Sequence, residues 1–129
     1  MARLLLCFEE MKLLFASLLL AACGTSAVTL GTTIVGPYTF DVEYEGPAPA
    51  AGVTTNMVLK PTAGGMPTSI ESWIGVADAD ASMKKPGVYD SNDGDYDTDF
   101  TIEDPLPADA KYYFDVNTNG TVVTGSIDL

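Results

Sequence analysis

The polar and apolar positions of this chain alternate with a period of two over most of its length after residue 37. Tyr38, Phe40, Val42 and Tyr44 alternate with Thr39, Asp41 and Glu43, the pattern of a strand with one wet face. Gly46-Pro47-Ala48-Pro49 ends that run, because proline has no amide hydrogen for a strand ladder. A second strand is predicted over Val53–Lys60, stopped by Pro61 and the Ala63–Pro67 turn cluster, and a third over Ser69–Ala77. In the third, Ile70, Ile74 and Val76 share one face and Trp73 takes the other. Pro86–Asp90 is a short fourth candidate. Tyr96, Thr98, Phe100 and Ile102 against Asp97, Asp99, Thr101 and Glu103 give the clearest amphipathic strand. Tyr112–Val116 and Thr121–Leu129 complete the set, joined by Asn117-Thr118-Asn119-Gly120, residues that accept positive φ in a tight hairpin. Gly and Pro leave no uninterrupted stretch for a long helix. The fold class predicted is all-β: a seven-stranded antiparallel sandwich.

Before this domain the pattern is different. Leu13–Ala22 is an almost unbroken apolar run behind Met11-Lys12. Ten helical residues rise only about 15 Å, too short for a membrane span, whereas a basic start, a short apolar stretch and small residues describe a cleavable signal segment. The run closes on Leu20-Ala21-Ala22-Cys23, which resembles the lipobox of bacterial lipoproteins. That resemblance implies a diacylglyceryl group on Cys23 and cleavage just before it. It also implies display on the cell envelope, and Gly24 in place of an aspartate favours the outer membrane, facing the periplasm. Glu9 and Glu10 put negative charge where a signal's start is normally positive, so Met11 is the expected true start. The expected organisation is a signal segment over 1–22, a lipidated cysteine and small-residue tether over 23–33, and one sandwich over 34–129.

A second resemblance sits at Leu106-Pro107-Ala108-Asp109-Ala110-Lys111-Tyr112-Tyr113-Phe114-Asp115-Val116. It is similar to the E–F corner of immunoglobulin and fibronectin type III domains, where a leucine precedes a tyrosine by six residues. The resemblance implies an immunoglobulin-like sandwich in which the Tyr112 hydroxyl bonds back to the backbone. The inter-sheet cysteines of that family are missing.

Charge and composition narrow the chemistry. Over 129 residues, 18 acidic groups face 6 basic ones, a net charge of −12 that disfavours nucleic acid as a partner. From Cys23 onward the only basic side chains are Lys60, Lys84, Lys85 and Lys111. There is no histidine, and the cysteines are Cys7 and Cys23, which excludes Ser-His-Asp and Cys-His catalysis and histidine-bound zinc or copper. The chain is expected to be non-enzymatic, a binding or assembly module whose partners are the membrane, through its lipid, and an envelope protein or glycan.

The local feature richest in potential ligands is Asp90-Ser91-Asn92-Asp93-Gly94-Asp95-Tyr96-Asp97-Thr98-Asp99. Calcium takes six to eight oxygen ligands, and Asp90, Asn92, Asp93, Asp95 and Asp97 around a glycine turn can supply several. An EF-hand is excluded: counted from Asp90, Gly94 falls at position 5 and Thr101 at position 12. The alternatives are a calcium-dependent binding module or a solvated acidic strand face. Asp115-Val116-Asn117-Thr118-Asn119-Gly120 fits the first half of the calcium pattern, with Ser126 at position 12 where glutamate belongs, and is explained by the hairpin. Asp78 and Asp80 are a candidate carboxylate pair for glycoside chemistry, with nothing to raise a pKa. Met57, Met66 and Met83 are soft ligands for Cu(I), and Pro86-Gly87-Val88-Tyr89 resembles an element of periplasmic copper-handling domains, which usually also supply histidine. Trp73 is either core or a partner contact.

Overall fold

The computed structural model describes residues 26–129; the expected signal segment over 1–22 and Cys23 lie outside them. The strands are β1 (Val28–Val35), β2 (Tyr38–Glu45), β3 (Thr54–Ala63), β4 (Ser69–Gly75), β5 (Lys85–Pro86), β6 (Val88–Asp90), β7 (Asp95–Thr101), β8 (Lys111–Thr118) and β9 (Thr121–Asp128). They form two antiparallel sheets, β1-β2-β3-β7-β6 and β5-β4-β8-β9. The chain is all-β, as the period-two pattern predicts.

The core lies between the sheets and is made by the alternation itself. Tyr38, Phe40 and Val42 of β2 and Met57 and Leu59 of β3 point inward from one sheet. Ile70 and Ile74 of β4 and Tyr112, Phe114 and Val116 of β8 answer them from the other. Aromatic rings meet edge to face at its centre, Phe40 on Phe114 at 6.0 Å and Phe100 on Tyr112 at 5.9 Å between centroids. This geometry sets ring edges against the negative faces of neighbouring rings. Leu106 packs against the same core from the β7–β8 connection.

Four expectations are corrected. First, there are nine strands instead of seven. Residues 28–33, expected as tether, belong to β1, which pairs with β2 through a bulge between Thr29 and Gly31. Thr29 and Thr32 face water, Thr33 is half-buried, and Leu30 and Val35 pack on the core, so one covered face suffices to order a segment with little hydrophobic signal. Second, Pro86–Asp90 is not one strand. The Gly87 amide donates to the Ile70 carbonyl at 2.8 Å, and the chain passes there from β5 in one sheet to β6 in the other. Third, the Tyr112 hydroxyl makes no bond to the backbone. Its ring is fully buried and the hydroxyl sits beside those of Ser72 and Thr98, with burial pushing its pKa up. Fourth, of the two readings of Trp73, the partner contact is not met: the residue is only 2% exposed, as described below.

The hairpin between β8 and β9 forms at the predicted turn. Thr118 pairs with Thr121, Asn119 and Gly120 take φ of 51° and 92°, and the Gly120 amide donates to Asn117 Oδ1 at 2.8 Å. The turn after β3 depends more strictly on glycine. Gly64 has φ of +92°, and a Cβ there would overlap the Pro37 carbonyl oxygen. Gly64→Ala is therefore expected to destabilise the fold by about 3 kcal/mol, from the strained φ and a backbone clash that no rotamer relieves. Urea denaturation would measure the loss, and a value under about 0.5 kcal/mol would mean that this turn readily moves away from Pro37.

Candidate functional site

The acidic run divides in the fold. Asp90 ends β6 and is the register partner of Asp95 at the start of β7, while Asp97 pairs with Val88 two residues further along. Tyr96, Phe100 and Ile102 join the core, so Asp95 and Asp97 emerge on the outer face of the five-stranded sheet. The hairpin between them is tightened by two bonds: the Asn92 amide donates to Asp90 Oδ1 at 2.9 Å and the Gly94 amide to the Asp90 carbonyl at 2.7 Å. Asp90, Asp95 and Asp97 each place a carboxylate oxygen within 4.8 Å of the other two.

Of the five predicted ligands the structure thus gathers three. Asn92 is used through its backbone to close the turn, and Asp93 acts on the cluster through its charge. Asp99 is engaged elsewhere, accepting a 2.8 Å hydrogen bond from Asn56 Nδ2.

Asp95 is the unusual member. It is only 8% exposed, and its Oδ1 is buried with no hydrogen-bond partner. Burial, followed by the charges of Asp97, Asp93, Asp90 and Glu45, pushes its pKa up to about 7. Asp97 is raised for the same reasons, burial first and then Asp90 and Asp93, partly offset by the adjacent Asp95 carboxyl group. Glu45, at the end of β2, is raised by burial and by Asp97, Asp93 and Glu43. Sequence reasoning missed Glu45, since only the assembled sheet brings β2 toward β7. Its position on the wet side of β2 was nevertheless legible in the alternation of Tyr38–Glu45.

The remaining candidates are placed elsewhere. Both Asp115 oxygens are engaged, Oδ2 by Lys84 at 2.8 Å and Oδ1 by the Thr124 hydroxyl at 2.6 Å, which leaves the Asp115–Gly120 segment as a hairpin. Asp78 and Asp80 are exposed in the loop before a 3-10 turn at Ala81–Met83. Met57 is fully buried in the core, Met66 lies half exposed in the turn after β3, and Met83 belongs to the 3-10 turn, so the three stand at separate places.

Trp73 faces away from the core, on the outer side of the four-stranded sheet. It stacks on its cross-strand neighbour Tyr113, centroids 5.3 Å apart and planes 12° from parallel. Its Nε1 donates to the Val76 carbonyl at 2.9 Å. Lys84 Nζ lies 4.7 Å from the ring centroid and is held there by Asp115. The segment 76–84 thereby closes over the indole.

Compared with family models, with curated proteins and with solved structures, the chain gives no match.

Proposed function

We propose that this chain is a lipid-anchored, immunoglobulin-like β-sandwich of the bacterial envelope that binds a partner and catalyses no reaction. The observation that carries this reading is the succession, in one chain, of a lipobox-like Leu20-Ala21-Ala22-Cys23 and a two-sheet domain whose first strand begins at Val28. Residues 24–27 are all that would separate an acylated Cys23 from β1, a reach of about 14 Å at full extension. The domain would then ride close to the membrane surface, outer membrane by the Gly24 rule, with an envelope protein or glycan as its partner.

Strand order supports the immunoglobulin-like part. Without β1 and β5, the sheets run β2-β3-β7-β6 and β4-β8-β9, which corresponds to strands A-B-E-D packed on C-F-G. The fasteners differ from that family's. Aromatic rings and Met57 fill the centre where it uses cysteines, and the single tryptophan lies outside the core. A binding role is supported by the lack of histidine and by a broad sheet face carrying Asp41, Glu43, Glu45, Asp97 and Asp99.

Metabolic labelling with an alkyne fatty acid tests the anchor. The wild-type chain is expected to incorporate label and partition into detergent, and Cys23→Ala to lose both while keeping its β circular dichroism. A wild-type chain that is secreted without label would overturn the proposal.

A further inference from the structure

We propose that Asp90, Asp95 and Asp97 form a calcium site on the outer face of the five-stranded sheet. The geometry of the cluster is compatible with a cation, and one observation independent of the clustering points to it. Calcium binds oxygens at about 2.3–2.6 Å, so two ligands of one ion stand no more than about 5 Å apart. The three carboxylates already satisfy this, with ligand oxygens within 4.8 Å of one another. The independent observation is Asp95 Oδ1, a buried oxygen of a residue 8% exposed that no hydrogen-bond donor reaches. A buried acceptor without a donor costs free energy that a bound cation would recover.

No cation of the protein fills this role among the described residues. The ion pairs there are Lys84 with Asp115 and Lys111 with Asp128, Lys85 Nζ donates to the Asp99 carbonyl at 3.1 Å, and Lys60 of β3 forms no ion pair. Around the cluster stand Asp93 and Glu45, which add negative charge. Three carboxylates, some bidentate, with waters at the open side fit the six to eight oxygens that calcium accepts. Magnesium requires a stricter octahedron near 2.1 Å and keeps more of its own water. The ion would fasten β6 to β7 at their turn, since Asp90 comes from one strand and Asp95 and Asp97 from the other. The inference does not depend on the lipid anchor.

The full chain in detergent, stripped with EDTA and dialysed at pH 7.5, would be titrated with calcium chloride by calorimetry and then melted with and without millimolar calcium. Calcium is expected to bind at one site and to raise Tm by about 5 °C or more, with magnesium at the same concentration giving a much smaller shift. Asp95→Asn and Asp97→Asn are each expected to weaken calcium binding about tenfold or more, because affinity follows the number of charged ligands. Asp99→Asn, outside the cluster, is expected to bind as the wild type does. The proposal is overturned by no calcium heat, by equal responses to calcium and magnesium, or by an equal loss in Asp99→Asn. A calcium response in a chain that takes up no fatty acid would overturn the lipid anchor and leave this site standing.

Discussion

Trp73→Ala is expected to lower the stability of the domain by about 3–5 kcal/mol, the range for deleting a buried aromatic side chain. At this size that is a fall in Tm of about 15 °C or more. The loss has three physical parts. The indole is 2% exposed, its Nε1 donates to the Val76 carbonyl, and its face stacks on Tyr113. Removing it leaves the Val76 carbonyl without this donor and opens a void between the sheet and the 76–84 segment. Lys84 also loses the ring beneath it while keeping Asp115. Trp73→Phe keeps much of the stacking surface and loses the hydrogen bond, so its cost is expected to be near 1–2 kcal/mol, about the worth of one part-buried hydrogen bond together with the smaller ring. Urea denaturation of the three proteins measures both. The alternative, a ring kept free for a partner, predicts a change within about 0.5 kcal/mol and fluorescence readily quenched by iodide.

Trp73 also shows which parts of this fold were legible in the sequence and which were not. Alternation with Ile70 and Ile74 placed it on the opposite side of its strand, and that placement is correct. What covers it could not be read. The cover is a loop returning eleven residues later through Lys84, held by Asp115 of another strand. The same division holds elsewhere. The hairpin at Asn119-Gly120 was legible because the positive φ values it needs are properties of those two residues. β1 was not, because Thr29, Gly31, Thr32 and Thr33 carry little hydrophobic signal and the strand is ordered by pairing with β2 and by its close approach to β9, where a Cβ on Gly31 would meet Ile127. Pro86–Asp90 could be read as extended chain, but its passage between sheets at Gly87 depends on the distant Ile70 carbonyl. In the acidic run, periodicity put Asp97 and Asp99 outward. Only register separates them, giving Asp97 to the cluster and Asp99 to Asn56. Local pattern therefore fixes which face a side chain takes, and non-local pairing decides what it meets there.

Asp95→Asn is expected to stabilise the calcium-free protein at pH 8 by about 2–4 kcal/mol and to remove most of its pH dependence between pH 5.5 and 8. The sign follows from linkage. Asp95 has a folded pKa raised to about 7 from an ordinary value of 3.8, so in that interval the native state holds a proton that the unfolded chain has lost. Its contribution is most favourable below 3.8 and is lost as the pH rises to about 7, so calcium-free wild type should be about 2 kcal/mol less stable at pH 8 than at pH 5.5. Burial is the larger cause and the charges of Asp97, Asp93, Asp90 and Glu45 the lesser, and asparagine escapes both because it carries no charge. Its amide can also donate to the neighbouring carboxylates, which a charged Asp95 cannot do. Asp97 and Glu45 are raised in the same direction, which leaves the variant a shallow residual slope. Calcium should reverse the order: by binding the ionised carboxylates it stabilises the wild type at pH 8, while the variant, short of one ligand charge, gains little. Protons and calcium would then compete for one cluster, and calcium affinity should fall as the pH drops below 7. Urea midpoints for both proteins at pH 5.5 and 8, with EDTA and with calcium, test every part. Equal slopes with pH in wild type and variant would show that Asp95 does not carry the proton.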